Sequence, residues 1–394
     1  MKRERIKRLV VTCGLAVLFL SVWTIGHAAD PYLIGALWDI TGYSSIIGAP
    51  SKEVTDIWLK EINEANGING HPIKVITYDT QSDETKTVTF AKRLIEKDQV
   101  HVIVGPTTTG GAMASIPIIE AAKVPMIANV GGTPVVVPVK KWVFKAPVAI
   151  NIVVEKQYEY MSKNTEIKKV GLISANNAFG EFGRNDSTSL ARKYGIQIVA
   201  DERFGPQDAD MTAQLTRIAK AGAQAVVCWT IGPTAPIVAK NMKQLGMTIP
   251  LYLCHGNTFP EHIKIAGDAA EGNIFAAIKP PVYTELPNSD PAKAMLTELI
   301  TRYEKVAGKP LSVHGWHAWD CLKLAEEALK NAKPNPANLA ESRAKIRDGI
   351  EGVKNLLLTN GVFNMSPMDH SGTRAPTSLV MITVKNGKFA FLAP

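Results

Sequence analysis

Three threonines and two glycines, Thr107-Thr108-Thr109-Gly110-Gly111, stand just beyond the apolar run Val100-His101-Val102-Ile103-Val104. Where a strand ends and a helix begins, hydroxyls and free backbone amides converge on one point, and the helix dipole there favours negative charge. Such a corner suits an anionic oxygen. Thr108 and Thr109 are the candidate contacts, with Asn129 and Gly131 of the next loop beside them. Threonine is also an ordinary helix cap, so the residues taken alone serve a structural reading equally well.

Other chemistries lack their residues. No G-x-G-x-x-G spacing or P-loop lysine accompanies the glycines, and HExxH, paired-cysteine, EF-hand and Gly-x-Ser-x-Gly patterns are missing from the sequence. His314, His317 and Asp320 recur at intervals of three, which on a helix brings side chains together. Trp316, Trp319, Leu322, Leu324 and Ala325 fill the same stretch, so it reads as a packed helix and not a metal site. No cofactor and no metal are expected.

The elements that must position these residues alternate. Tyr32 to Leu37, Ile73 to Tyr78 and Val100 to Val104 read as strands, separated by helical periodicity over Pro50 to Ala65 and Thr85 to Lys97. The pattern restarts with strands at Lys169 to Ile173, Ile196 to Val199 and Ala225 to Trp229, and helices at Phe182 to Lys193 and Met211 to Ala221. Repeated β-α-β units put a parallel sheet between helices. Two doubly wound α/β domains are expected, with a boundary near Pro147 to Asn151. Ligands in such sheets bind beyond the carboxyl ends of the strands, which directs attention to the loops 39–48, 107–111, 129–133, 174–180, 230–234 and 255–259.

The first residues read as an address. Lys2, Arg3, Arg5, Lys7 and Arg8 precede an apolar run from Leu9 to Ile25 that ends in Gly26-His27-Ala28, the pattern of a signal peptide cleaved after Ala28. Thr12 precedes Cys13 where lipid attachment would want a small residue, so Cys13 belongs to the removed core. The formal charge of +8 includes five bases and one acid of this leader; without them the balance is too mild, and the basic residues too scattered, for a nucleic-acid partner. Cys228, Cys254 and Cys321 form neither a disulfide framework nor a metal pattern, although one bridge is open to them in an oxidising compartment.

Taken together, the motifs resemble one family. Asp39-Ile40-Thr41-Gly42 through Ala65-Asn66-Gly67-Ile68-Asn69-Gly70, Tyr78 to Asp83, Val104-Gly105-Pro106-Thr107-Thr108-Thr109-Gly110, Asn177-Ala178-Phe179-Gly180 and Ala266-Gly267-Asp268-Ala269-Ala270-Glu271-Gly272 occur in the order found in type I periplasmic binding proteins of the leucine/isoleucine/valine-binding kind. The resemblance implies two domains joined by a three-strand hinge, with 29–148 and 278–361 in the N-terminal lobe and 149–277 and 362–394 in the C-terminal lobe. It also implies a monomeric, periplasmic, non-enzymatic capture protein that serves an inner-membrane ABC permease, with no nucleic-acid partner.

Within that frame ligand contact is favoured for the threonines. Phe179 takes the place of the aromatic residue that closes over the ligand, and His255 stands where amino-acid binders of the family place an acid for the ligand's ammonium. A neutral imidazole is a poor partner for a buried cation. The sequence therefore points to a small carboxylate without an α-ammonium, such as an aromatic or branched organic acid, whose hydroxyl or second carboxylate His255 would bind. A core role for His255 is the structural alternative. Tyr43, Ile46, Ile47, Thr230 and Ile231 are expected to complete the walls. A branched-chain amino acid or amide, with Glu181 or Glu261 taking the ammonium, is the second reading, and a secreted α/β enzyme the third.

Overall fold

The computed structural model describes residues 29–373 and 378–392, so the leader and Cys13 lie outside the described residues. Among the described residues no helix is long and apolar enough to cross a membrane. From the amino terminus run β1 (Tyr32–Trp38), α1 (Ser45–Glu64), β2 (Ile73–Asp79), α2 (Glu84–Glu96), β3 (Val102–Val104), α3 (Thr109–Ala122), β4 (Met126–Ala128) and β5 (Val143–Lys145). A second series follows: α4 (Ile150–Asn164), β6 (Lys169–Ala175), α5 (Ala178–Ala191), β7 (Gln197–Phe204), α6 (Thr212–Lys220), β8 (Ala225–Trp229), α7 (Thr234–Gln244), β9 (Leu251–Leu253), α8 (Pro260–Ala266) and β10 (Ile274–Ala277). The chain ends through α9 (Pro291–Ala307), α10 (Val313–Ala332), α11 (Leu339–Glu351), β11 (Leu356–Leu358), β12 (Gly361–Phe363), β13 (Val380–Lys385) and β14 (Lys388–Phe391).

The first series makes a five-stranded parallel sheet in the order β2-β1-β3-β4-β5, and the second a seven-stranded sheet in the order β14-β13-β10-β9-β8-β6-β7. Both orders reverse once, between β1 and β3 in the first sheet and between β6 and β8 in the second. At such a reversal the connecting helices leave on opposite faces and open a crevice beyond the carboxyl ends of the strands. The loops after β1, β3, β6 and β8 therefore surround the crevices. They and the helix start after β6 carry Tyr43, Thr108, Phe179 and Ile231.

Three details differ from the sequence expectation. Helix α1 starts at Ser45, before Pro50, which lies inside it; its first turn is held by Ile47 and Gly48 amides donating to the Ser44 carbonyl. Helix α5 starts at Ala178, earlier than the apolar periodicity shows, because the Asn177 side chain caps it by accepting from the Gly180 amide at 2.9 Å. The second sheet is not wholly parallel: β13 and β14 form an antiparallel edge on β10.

Helix α10 is buried along most of its length and packs against α1 and α11, beside β3 and β4. The Trp58 indole on α1 donates to Glu326 on α10 at 2.8 Å, and Lys323 and Lys330 pair with the same carboxylate. The sequence after β10 thus returns to the five-stranded sheet before β13 rejoins the other. Cys228, Cys254 and Cys321 are free and buried, so the bridge left open by the sequence is not formed.

Candidate functional site

One cavity gathers the loops at both reversals. Its space, including the part open to solvent, is about 670 Å³, the size of a small-molecule site. Thr108, Thr109, Asn129, Gly131, Tyr43 and Ile47 line it from the five-stranded sheet, and Phe179, Ile231 and His255 from the other. The hydroxyl of Thr133 donates to Asp186 on α5 at 2.9 Å, tying the loop after β4 to the second domain.

The anion corner is built from the end of β3. Asp39, fully buried after β1, accepts from the Thr107 hydroxyl at 2.6 Å, the Thr80 hydroxyl at 2.5 Å and the Ser82 amide at 2.9 Å. One carboxylate thereby fixes the ends of three strands. Burial lifts its pKa, against the hydrogen bonds from Thr107 and Thr80. With Thr107 so engaged, Thr108 becomes the N-cap of α3, yet its side chain makes no capping bond. Its hydroxyl is left for the cavity. The first amide of the turn to reach a carbonyl of the helix is that of Ala112, to Thr108 at 3.0 Å, so the amides before it lack intrahelical acceptors. Helix α5 presents its own first turn, Ala178 and Phe179, to the same space.

The opposing wall depends on close approach. A Cβ at Gly131 would lie 3.3 Å from the Phe179 ring, tighter than most real contacts, and 3.5 Å from the His255 ring, an ordinary contact, so glycine there eases the approach of Phe179. At Gly180 a Cβ would meet the Ala175 carbonyl oxygen at 2.0 Å, which explains why a glycine follows the aromatic residue. Gly180→Ala is expected to lower stability by about 1–3 kcal/mol through this overpacking; an unchanged urea midpoint would contradict the reading.

Some candidates sit elsewhere. Thr230 is buried away from the cavity, its hydroxyl paired with Thr234 at 2.9 Å and its carbonyl accepting from Asn257 at 2.9 Å. Ile46 does not line the cavity; it is partly buried against the core. Glu181 is held by Arg184 and Arg203, and Glu261 lies exposed on α8, so neither faces a ligand there. The acid that does line the cavity is Glu84, at the first position of α2 and close against Gly110. Sequence reasoning missed it because the turn around Asp83 reads as an ordinary capped helix start.

His314 and His317 also line the cavity, from the first turns of α10. The packed-helix reading describes α10 but not these two side chains. Their signal was the three-residue spacing itself, which puts both on one face. The His255 ring lies 5.3 Å from that of His317, and His314 is 6.1 Å from His317. Burial drives the pKa of His255 and of His314 down to about 3 and that of His317 well below the usual imidazole value. All three are therefore neutral near pH 7. Lys145, buried at the end of β5 and bonded to the Pro147 carbonyl, is pushed down to about 7 by the same desolvation.

A model of the periplasmic binding protein family matches residues 31–388. The chain belongs to this family. Periplasmic binding proteins are the substrate-binding components of ABC transporters; they bind small molecules and work with membrane permeases. Among relatives, the chain is 26% identical over 260 residues to a Leu/Ile/Val-binding protein homolog from Brucella melitensis, covering 65% of this chain and 70% of the relative. It is 22% identical over 341 residues to a leucine-, isoleucine-, valine-, threonine- and alanine-binding protein from Pseudomonas aeruginosa, covering 86% of this chain and 88% of that one. Among solved structures, an extracellular ligand-binding receptor from Rhodopseudomonas palustris HaA2 superposes with a TM-score of 0.85 at 28% identity, covering 92% of this chain and 100% of the other. The type I periplasmic binding protein fold, with its two α/β domains, is thus shared across nearly the whole periplasmic binding protein described here.

Proposed function

We propose that this periplasmic binding protein captures a small organic solute by its carboxylate at the N-terminus of α3. One observation carries the reading: Thr108 caps that helix in position but not by side chain, leaving its hydroxyl and the first-turn amides to the cavity. Fixed donors and a helix dipole suit a carboxylate without reorganisation. Thr109, Asn129 and Gly131 support the same corner, while Tyr43, Ile47, Phe179 and Ile231 give the apolar walls.

Two ligand classes fit, and each has its own support. The names of the curated relatives favour a branched-chain amino acid, and Glu84, beside Gly110 in the anion corner, is the acid that would take an ammonium one carbon from the carboxylate. This is the reading the comparisons back better. The side chains of the far wall favour the acid without an ammonium that the sequence pointed to, because His255, His314 and His317 are neutral and give a cation no balancing charge. Binding works by closure: contacts from both domains exist together only when they are drawn in, so the ligand shifts that population. The lobes are 29–148 with 278–361, and 149–277 with 362–394; the leader exports the chain to the periplasm, where it acts as a monomer with an inner-membrane ABC permease and performs no chemistry on the ligand.

Calorimetric titration with leucine, isoleucine, valine, benzoate and branched aliphatic acids decides between the classes. The amino-acid reading expects leucine to bind and Glu84→Gln to weaken it at least tenfold. The other expects benzoate or an aliphatic acid to bind while leucine does not. Binding by none of these acids, nor by the hydroxylated acids tested below, would sink the carboxylate reading.

A further inference from the structure

His255, His314 and His317 come from two separate regions of the chain, yet their rings meet at one wall of the cavity. Each keeps a buried nitrogen without a hydrogen-bond partner: Nδ1 of His255, Nε2 of His314 and Nε2 of His317. Buried polar atoms are seldom left unpaired, and three together call for an explanation. Simple packing would have been served better by apolar rings, because an orphaned buried nitrogen costs about 1–3 kcal/mol.

The chemistry of a matching group follows from the ring nitrogens. A neutral imidazole has one donor and one acceptor, so three neutral rings at one wall, each with an unpaired nitrogen, offer lone pairs and N–H donors side by side. A cation finds no acid at this wall, and Lys145 lies buried behind it at Pro147. A second carboxylate accepts only and leaves the lone pairs unmatched. A hydroxyl both donates and accepts.

We infer that His255, His314 and His317 form a specificity subsite for a hydroxyl carried by the ligand at a distance from its carboxylate. The inference rests on the carboxylate docking proposed above, and it holds for an amino acid as for a plain organic acid. The wall then selects hydroxylated acids over their unsubstituted parents, because the parent would leave the three nitrogens unpaired in the closed form.

The test uses matched pairs that differ by that one group: tyrosine against phenylalanine, and 3- and 4-hydroxybenzoate against benzoate, titrated into the full mature chain at pH 7.5. In whichever series binds, a hydroxylated member is expected to be at least tenfold tighter than its parent. In His317→Phe and, independently, His255→Phe, that ratio is expected to fall to about one, while thermal unfolding reports whether each variant is folded. Equal affinity within every pair overturns the subsite while leaving the carboxylate reading intact, as does a ratio that survives in a folded variant. If no member of either series binds, and leucine and aliphatic acids fail as well, both the subsite and the carboxylate reading fall. If leucine or an aliphatic acid binds and neither aromatic series does, only the subsite falls.

Discussion

Asp39→Ala is expected to destabilise the protein by about 4 kcal/mol and to weaken ligand binding by at least tenfold. Its carboxylate is fully buried and serves Thr107, Thr80 and Ser82 together. Removing it strands two hydroxyls and an amide away from water, at about 1–3 kcal/mol for each unsatisfied group, partly relieved by rotation of the hydroxyls. The binding loss has a separate cause. Thr107 is the anchor that turns the chain after β3 so that Thr108 and Thr109 face the cavity. Asp39→Asn keeps an oxygen for Thr107 and should cost less than half as much. Urea unfolding followed by tryptophan fluorescence, with calorimetry on whichever acid binds, checks both; equal stability of wild type and Asp39→Ala would refute the linchpin role.

Acidification is expected to weaken the fold steeply between pH 6.5 and 5. Burial holds His255 and His314 near 3, His262 near 4 and His317 well below its usual value, whereas an unfolded imidazole titrates near 6.5. Across that window the unfolded chain takes up protons that the folded chain refuses. Stability is therefore fully present above the unfolded value and falls as the pH drops towards the folded ones. Asp320 acts in the opposite sense: burial raises it to about 6, so the folded carboxyl accepts a proton first and gains stability as the pH falls through 6. Lys145, lowered to about 7, has its effect at higher pH and adds little below neutrality. With four rings against one carboxyl, the net loss between pH 6.5 and 5 is roughly 5 kcal/mol. Urea midpoints at pH 7.5, 6.5 and 5 measure it, and a midpoint independent of pH would show that these rings are not kept neutral.

The sheets were legible because their strands are short apolar runs at regular intervals, and the loops at the cavity followed from the rule that ligands bind beyond the carboxyl ends of parallel strands. Thr108, Phe179 and His255 could be singled out because they lie at or just after strand ends, at places where the family resemblance puts ligand contacts. Thr230 lies in such a loop too, but a loop position does not say which way a side chain turns, and Thr234 one helical turn on claimed its hydroxyl. His314 and His317 were hidden for the opposite reason. They sit in a helix buried on nearly every side, so a spacing that puts both on one face does not say that this face meets a cavity, and only the distant return of α10 to the cleft gives them one to line. Glu84 depended on a contact with Gly110 across separate elements, which no local pattern encodes.

The meeting of the His255 and His317 rings has a consequence for watching the molecule work. One ring is carried by a connection of the seven-stranded sheet and the other by a helix seated on the five-stranded one, so the opening proposed above would part them. Ring-current shifts of their carbon-bound protons would then serve as an internal gauge of opening in solution, read by magnetic resonance without attaching any label.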